Sequence, residues 1–308
     1  MKRRRSLPFL VAAAAATALL AGCSGGGPAA TDSPDASAGG TIDVVASTNV
    51  WGSIAQVVGG DHVSVTSVID DPDKDPHEYE ADSRTQLALS EAALVIENGG
   101  GYDDFVDTML ASSKSTAPVI NAVDVSGKTA ADGEELNEHV WYDFPTVAKV
   151  ADEIATQLGT IDPANASTYT ANSADFTTKI EGLESRTAEA ASSFTGTGVA
   201  ITEPVPLYLL EAMGLENKTP AEFSEAVEEG TDVPATVLQE TEALFAQHQV
   251  KVLVYNEQTS GPSTDAILNA ASTNGVTAIG VTETLPDGTD YVDWMSGYID
   301  QISAALSA

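Results

Sequence analysis

Two of the four histidines, His77 and His139, lie in segments that suit a metal ligand. His77 is in a loop after a predicted strand, and Pro72 and Pro76 stiffen that loop by fixing φ. His139 lies beside aromatic residues in the stretch 137–143. Taken singly, each is more often a hydrogen-bonded structural residue. As a pair that follows strands of one lobe, they would form a two-nitrogen half-site for a transition metal.

The other two histidines have structural explanations. His62 lies in a turn that enters a strand, where a surface residue is expected. His248 lies near the end of a predicted helix, and a histidine there suits the negative end of the helix dipole. We therefore expect neither residue to bind metal.

Among the many carboxylates, two are distinguished by position. Glu203 follows the predicted strand 199–201, and Glu283 follows the predicted strand 276–281. Both would stand at the carboxyl edge of a sheet, where ligands bind in open α/β folds. The alternative is that each is a solvated loop glutamate.

The acidic loop before His77 imitates the start of a calcium-binding EF-hand, with Asp71, Asp73 and Asp75 at alternate positions. Pro76 stands where that loop needs glycine, and Asp82 stands where it needs glutamate. We therefore exclude a calcium site of this type.

Short β-branched runs alternate with helical patterns in the first half of the chain, which is typical of βαβ units and a parallel sheet. The predicted strands here are 41–46, 63–69, 93–96 and 118–120, and the predicted helices are 50–58, 83–92, 102–111 and 146–158.

A long helix is predicted over 163–194, with Asp162 as N-cap and Pro163 at its first position. A single apolar stripe supports it: Tyr169, Phe176, Ile180, Leu183, Thr187, Ala190 and Phe194. Such a rod would be about 48 Å long, which is too long for one small lobe. We interpret it as a spine between two lobes.

Alternation resumes after the spine. The predicted strands are 199–201, 251–255 and 276–281, and the predicted helices are 207–213, 234–248, 264–271 and 291–306. The fold class is therefore α/β, with two lobes of mainly parallel sheets joined by one long helix and a site in the cleft between them. The expected divisions are an N-terminal lobe at 41–162, a linking helix at 163–196 and a C-terminal lobe at 197–308.

Five stretches resemble, in order along the chain, motifs of the zinc- and manganese-binding lipoproteins of ABC importers. They are DPHEYE at 75–80, NGGGY at 98–102, EHVWYD at 138–143, TEP at 202–204 and EFSEA at 222–226. The similarity spans residues 41–306, and two α/β lobes joined by a long helix are also the fold of that family.

The resemblance implies that His77, His139, Glu203 and Glu283 bind the metal. Asp is usual in the family where this chain has Glu283, and the histidine-rich loop that many zinc-specific members carry has no counterpart in 124–138. The implied cargo is Zn²⁺, with Mn²⁺ as the second candidate, and the implied partner is an ABC permease. Four protein donors can close a tetrahedral site, whereas a catalytic zinc keeps a position open for water.

Catalytic motifs are few: the sequence has no Gly-x-Ser-x-Gly elbow between a predicted strand and a predicted helix, no His-Glu-x-x-His pair and no phosphate loop. We expect a binding protein rather than an enzyme. A cell-surface metal-dependent hydrolase and a receptor for another solute, such as chelated iron, are the alternatives.

The beginning of the chain has the layout of a secretory signal peptide at 1–22: a basic start, an apolar stretch and small residues before Cys23. That junction predicts cleavage before Cys23 and lipidation of its thiol, which is the only one in the sequence. The segment 23–40 lacks large apolar residues and is expected to be a flexible tether. We therefore expect an extracytoplasmic protein held to the cell membrane by lipid.

The chain is strongly acidic, with a net charge of −33 from 13 Lys+Arg and 46 Asp+Glu. Cleavage at Cys23 would remove four of the basic residues and leave 9 against 46, a net charge near −37. Such a charge excludes nucleic acid as a partner. We expect a monomer.

Overall fold

The computed structural model describes residues 40–71, 77, 79–80, 82–130 and 136–308. The predicted signal peptide at 1–22, Cys23 and nearly all of the predicted tether lie outside the described residues. The described chain contains two four-stranded parallel sheets, with strand orders β2-β1-β3-β4 and β6-β5-β7-β8.

The first lobe is built on one of these sheets. Its strands are β1 (Ile42–Thr48), β2 (Val63–Ile69), β3 (Leu94–Glu97) and β4 (Val119–Asn121). Its helices are α1 (Asn49–Gly59), α2 (Ser83–Glu91), α3 (Phe105–Ser112), α4 (Ala122–Ser126) and α5 (Phe144–Ile161). Short 3-10 turns at Gly60–His62 and Val140–Tyr142 complete it.

The second lobe repeats the arrangement. Its strands are β5 (Gly198–Ile201), β6 (Glu216–Asn217), β7 (Val252–Asn256) and β8 (Thr277–Val281). Its helices are α7 (Leu207–Ala212), α8 (Ala221–Glu228), α9 (Ala235–Ala246), α10 (Pro262–Thr273) and α11 (Tyr291–Ser307). The two-lobed α/β fold predicted from the sequence is confirmed.

Central strands of both sheets are apolar runs without alternation. Every residue of β3 and of β5 is buried, as expected where helices cover both faces of a parallel sheet. Because all strands of a sheet point the same way, their carboxyl ends meet at one edge. Segments that leave β5, β7 and β8 therefore start close together.

Helix α6 (Ala166–Phe194) is the long helix between the sheets, about 44 Å at 1.5 Å per residue. Its buried residues are those of the predicted stripe except Phe194, which is half-buried, together with Ser173. The predicted N-cap is wrong: Asp162 instead ends α5, and its carboxylate accepts hydrogen bonds from Asn165 Nδ2 and Tyr169 Oη. The helix consequently begins at 166 rather than 163.

Strand β2 has the predicted bounds, and most other elements lie within a few residues of their predicted bounds. The prediction missed α4, β6 and α8, which are short. No helix of the described chain is both long and apolar enough to cross a membrane.

The two lobes share one apolar core and are joined by hydrogen bonds between them. Asn49 exchanges two bonds of 2.8 Å with the backbone of Leu285. Tyr142 Oη donates to the carbonyl of Thr282 at 2.7 Å, and Tyr291 Oη donates to the carbonyl of Trp141 at 2.6 Å. The core cluster includes residues of both sheets and of α6. The lobes therefore meet closely around the predicted cleft.

Candidate metal centre

The C-terminal lobe places three polar side chains at the carboxyl edge of its sheet. Glu203 follows β5, Asn256 ends β7 and Glu283 follows β8. All three are buried, with exposures of 1%, 1% and 0%. Buried carboxylates require compensation, because a charged group that leaves water loses its solvation.

Asn256 supplies part of that compensation. Its Nδ2 donates to Glu203 Oε2 at 2.7 Å and to Glu283 Oε1 at 2.8 Å, which holds the two carboxylates side by side. Gln258 adds a second restraint, since its Oε1 accepts from the backbone N–H of Glu283 at 2.5 Å. The C-terminal half of the site is therefore built on strand ends and fixed by amide side chains.

The N-terminal lobe contributes His139, which is fully buried directly before the 3-10 turn at Val140–Tyr142. Asn137 Oδ1 lies 2.8 Å from His139 Nδ1 and also accepts from the backbone N–H of His139 at 3.0 Å. An oxygen acceptor at Nδ1 keeps the proton there, so in the neutral ring the lone pair is on Nε2. Metal-binding histidines are commonly held in this way.

His77 reaches the same place from the loop after β2. Its side chain is 24% exposed, and its Nε2 lies 3.5 Å from Glu283 Oε2. The ring packs edge-on against Tyr102 with centroids 5.0 Å apart. Tyr102 in turn donates from Oη to Glu283 Oε2 at 3.0 Å, across the boundary between the lobes.

Three buried atoms at this place have no hydrogen-bond partner among the described residues: His139 Nε2, Glu203 Oε1 and Glu228 Oε1. We call them the open atoms. Buried polar atoms are nearly always hydrogen-bonded, so such atoms require an explanation. A bound cation supplies one.

The spacing of the donors supports that explanation. His139 Nε2 lies 3.7 Å from Glu283 Oε2 and 3.5 Å from Glu228 Oε1. These separations are too long for good hydrogen bonds. Two donors that each bind one ion at about 2.1 Å in a tetrahedral arrangement lie about 3.4 Å apart. The donors are thus spaced like the ligands of a single ion.

The structure brings His77, His139 and Glu283 together and links Glu203 to them through Asn256. One donor atom from each of His77, Glu138, His139 and Glu228 also lies within 4.8 Å of the others.

Sequence reasoning missed Glu228, because it is one of 46 acidic residues and lies in an unpredicted helix. It also missed Asn256, although the position of this residue at the end of β7 is the signal that identified Glu203 and Glu283.

Electrostatics at the site couple the histidine to the carboxylates. Burial lowers the pKa of His139, but the carboxylates of Glu283, Glu138 and Glu228 outweigh burial and raise it to about 9. Burial raises the pKa of Glu228 to about 8 and that of Glu203 to about 7. For Glu283, burial is outweighed by the neighbouring histidines, and its pKa is lowered. Without a metal, the site therefore holds protons near neutral pH.

A groove of about 740 Å³ adjoins the site, and residues of both lobes line it. His77 and Glu228 form part of its wall, and Glu138, Glu211, Glu225 and Glu229 make it acidic. Negative charge along a cleft raises the local concentration of cations.

The remaining candidates lie elsewhere. His62 packs edge-on against Tyr169, and His248 follows the end of α9 with a positive φ of 54°. Asp82 caps α2 by accepting from the backbone N–H groups of Arg84 and Thr85. Asp73, Asp75 and Pro76 of the imitated calcium loop lie outside the described residues.

Comparison with known proteins gives one family. Residues 44–305 match the family model described as zinc-uptake complex component A, periplasmic. The manganese-binding lipoprotein MntA of Bacillus subtilis is 24% identical over 267 residues, which cover 85% of this chain and 84% of MntA. The manganese ABC transporter substrate-binding lipoprotein PsaA of Streptococcus mitis is 29% identical over 167 residues, 50% of this chain and 53% of PsaA.

Among solved structures, the periplasmic zinc-binding protein TroA of Treponema pallidum has the same fold. Its TM-score is 0.75 at 20% identity, and the match covers 87% of this chain and 99% of TroA.

Proposed function

Because this chain belongs to the family of zinc-uptake complex component A proteins, we propose that it is the extracytoplasmic solute-binding lipoprotein of an ABC importer for a divalent transition metal. Zn²⁺ is the first candidate for the cargo and Mn²⁺ the second, since related proteins are named for one or the other. The permease is the partner that would receive the ion.

The ligands we propose are His77, His139, Glu203 and Glu283. The observation that carries this assignment is His139 Nε2, which is buried, open and 3.7 Å from Glu283 Oε2. Two imidazoles and two carboxylates suit both zinc and manganese, while the general order of affinities places zinc above manganese. We therefore expect tighter zinc binding in solution, whichever ion the cell delivers.

The family and the relatives above are named as uptake and binding proteins, and the chain is accordingly a binding protein rather than an enzyme. Donors 3.5–3.7 Å apart leave room for a bare ion between them but not for a chelated iron complex. Together with relatives named for manganese or zinc, this spacing favours a bare ion over both alternatives considered from the sequence.

The test is zinc binding by the metal-stripped protein at pH 7.5, measured by calorimetry and by the change in melting temperature. Excess zinc should bind once per chain and raise the melting temperature by mass action. His139→Ala should remove both effects, and His248→Asn, which suits the positive φ at that position, should retain both. An unchanged melting temperature with excess zinc and manganese would refute the proposal.

We further propose that Cys23 is the first residue of the mature chain and carries the lipid that anchors the protein. The support is the junction Leu-Ala-Gly-Cys at 20–23 together with relatives named as lipoproteins. Cys23→Ala should release the protein or block its processing. Intact-mass measurement that finds an unmodified N-terminus at another residue would contradict this. The mature protein should be monomeric by light scattering.

A further inference from the structure

Glu228 is the last residue of α8, in the wall of the groove that adjoins the proposed metal site. Its side chain is 13% exposed, and its Oε1 is one of the three open atoms. A carboxylate at the C-terminal end of a helix meets the negative end of the helix dipole, which is unfavourable. Glu228 is thus a poorly compensated carboxylate in the fold itself.

The geometry gives this carboxylate a partner. Glu228 Oε1 lies 3.5 Å from His139 Nε2, and both atoms are open. His139 Nε2 is also 3.7 Å from Glu283 Oε2. The same imidazole nitrogen therefore has a carboxylate oxygen of Glu283 and one of Glu228 at the spacing expected of ligands on one ion.

Resting on the function proposed above, we infer that Glu228 is a further metal ligand, which binds the ion from the groove side. Together with His77, His139, Glu203 and Glu283 it would give five protein donors, three of them carboxylates. Manganese favours oxygen donors and higher coordination, whereas zinc is most often four-coordinate. Glu228 would therefore favour Mn²⁺ over Zn²⁺ relative to a site with four donors.

The test compares Glu228→Gln with Glu225→Gln in titrations with Mn²⁺ and with Zn²⁺. Glu225 lines the same groove one turn earlier on α8, so its variant makes the same chemical change without removing the proposed donor. Glu228→Gln should weaken Mn²⁺ binding at least about tenfold and Zn²⁺ binding by clearly less, while Glu225→Gln stays near wild type for both ions.

Cobalt provides a readout of coordination itself. Co²⁺ absorbs visible light weakly when it has five or six ligands and more strongly when tetrahedral, so geometry is diagnostic. Glu228→Gln should increase the absorption of the bound Co²⁺, and Glu225→Gln should leave it unchanged. An unchanged Co²⁺ spectrum, or equal weakening by the two variants, would overturn the ligand role. Equal loss of both metals would overturn the preference for manganese.

His139→Ala in the same titrations separates this inference from the function on which it rests. If His139→Ala loses both metals while Glu228→Gln binds like wild type, only the role of Glu228 fails. If the wild-type protein itself binds neither metal, the proposed function fails. Gln is nearly the same size as Glu, and a melting curve of metal-free Glu228→Gln checks that the variant is folded.

Discussion

The two lobes share one strand order but contribute different chemistry to the site. The N-terminal lobe places His77 and His139 on loops, and each presents its Nε2 to Glu283. The C-terminal lobe places Glu203 and Glu283 directly after strands, where Asn256 holds both. One half thus supplies directional nitrogen donors and the other supplies fixed negative charge. Metal binding would draw on both halves at once, so each can be weakened separately.

The largest effect should come from removing the buried donor of either half. His139→Ala and Glu203→Ala each delete a proposed ligand with an open atom, and each should weaken zinc binding at least about 100-fold, more than loss of a supporting residue would. His139→Ala should be the more severe because it removes a nitrogen. Competition with a chelator of known affinity measures both. Glu222→Ala, exposed on α8, is the control. A larger loss of zinc affinity from Glu222→Ala than from Glu203→Ala would contradict the assignment of Glu203 as a ligand.

Acidification should act through the N-terminal half. The pKa of His139 is about 9, so a metal ion must displace its proton at neutral pH. Release of the His139 proton alone lowers the affinity about tenfold per pH unit, hence at least about 100-fold from pH 8 to pH 6, and protons held by Glu203 and Glu228 add to the loss. Calorimetry in buffers with different ionisation enthalpies counts the protons released. An affinity that is constant from pH 6 to pH 8 would contradict the coupling.

The stability of the metal-free protein should decrease as the pH rises, whereas its metal affinity should increase. The pKa values of His139, Glu228 and Glu203 are raised in the folded state, to about 9, about 8 and about 7. Raised values stabilise the fold at low pH, and that stabilisation is lost as the pH rises through each folded value. The ordinary pKa values are 4.5 for Glu and 6.5 for His, so the melting temperature without metal should fall as the pH rises from about 5 to about 9. Saturating zinc should offset much of the fall.

Loss of the support in the C-terminal half should have an intermediate effect. Asn256→Ala removes a hydrogen bond from each of the two carboxylates and should weaken zinc binding about 10- to 100-fold, the usual range for residues that hold metal ligands in place. Asn274→Ala, at the end of α10 in the same lobe, should leave the affinity unchanged. Zinc affinity of Asn256→Ala equal to that of the control would mean that the carboxylates need no support.

The smallest effect should come from the bond between the halves. Tyr102→Phe removes the hydroxyl that donates to Glu283 Oε2 at 3.0 Å and should weaken zinc binding by less than about tenfold. Glu283→Asp should be similarly mild, since Asp retains the carboxylate, whereas Glu283→Ala should lie between these and His139→Ala. Zinc titrations of the three variants measure the order of their affinities. A loss in Tyr102→Phe as large as in Glu283→Ala would contradict this ranking.

The two carboxylates of the C-terminal lobe were easier to predict from the sequence than the residues around them. Glu203 and Glu283 could be selected because each follows a predicted strand of a parallel sheet, and strand ends converge. The buried face of α6 could be predicted because a long helix that packs against both lobes repeats its apolar residues over many turns. The proposed role of Glu228 could not be predicted, because it depends on a 3.5 Å approach to His139 of the other lobe. The Asp-Pro pair at 162–163 predicted a helix start, but Asp162 instead ends α5 and accepts a hydrogen bond from Tyr169.

The most direct test of a metal held between two unlike halves is a crystal structure of the zinc-loaded protein, with anomalous data collected on both sides of the zinc absorption edge. A single zinc peak within about 2.2 Å of His77 Nε2, His139 Nε2 and carboxylate oxygens of Glu203 and Glu283 is the predicted result. A zinc peak bound by residues of one lobe only, or by none of these four, would contradict it.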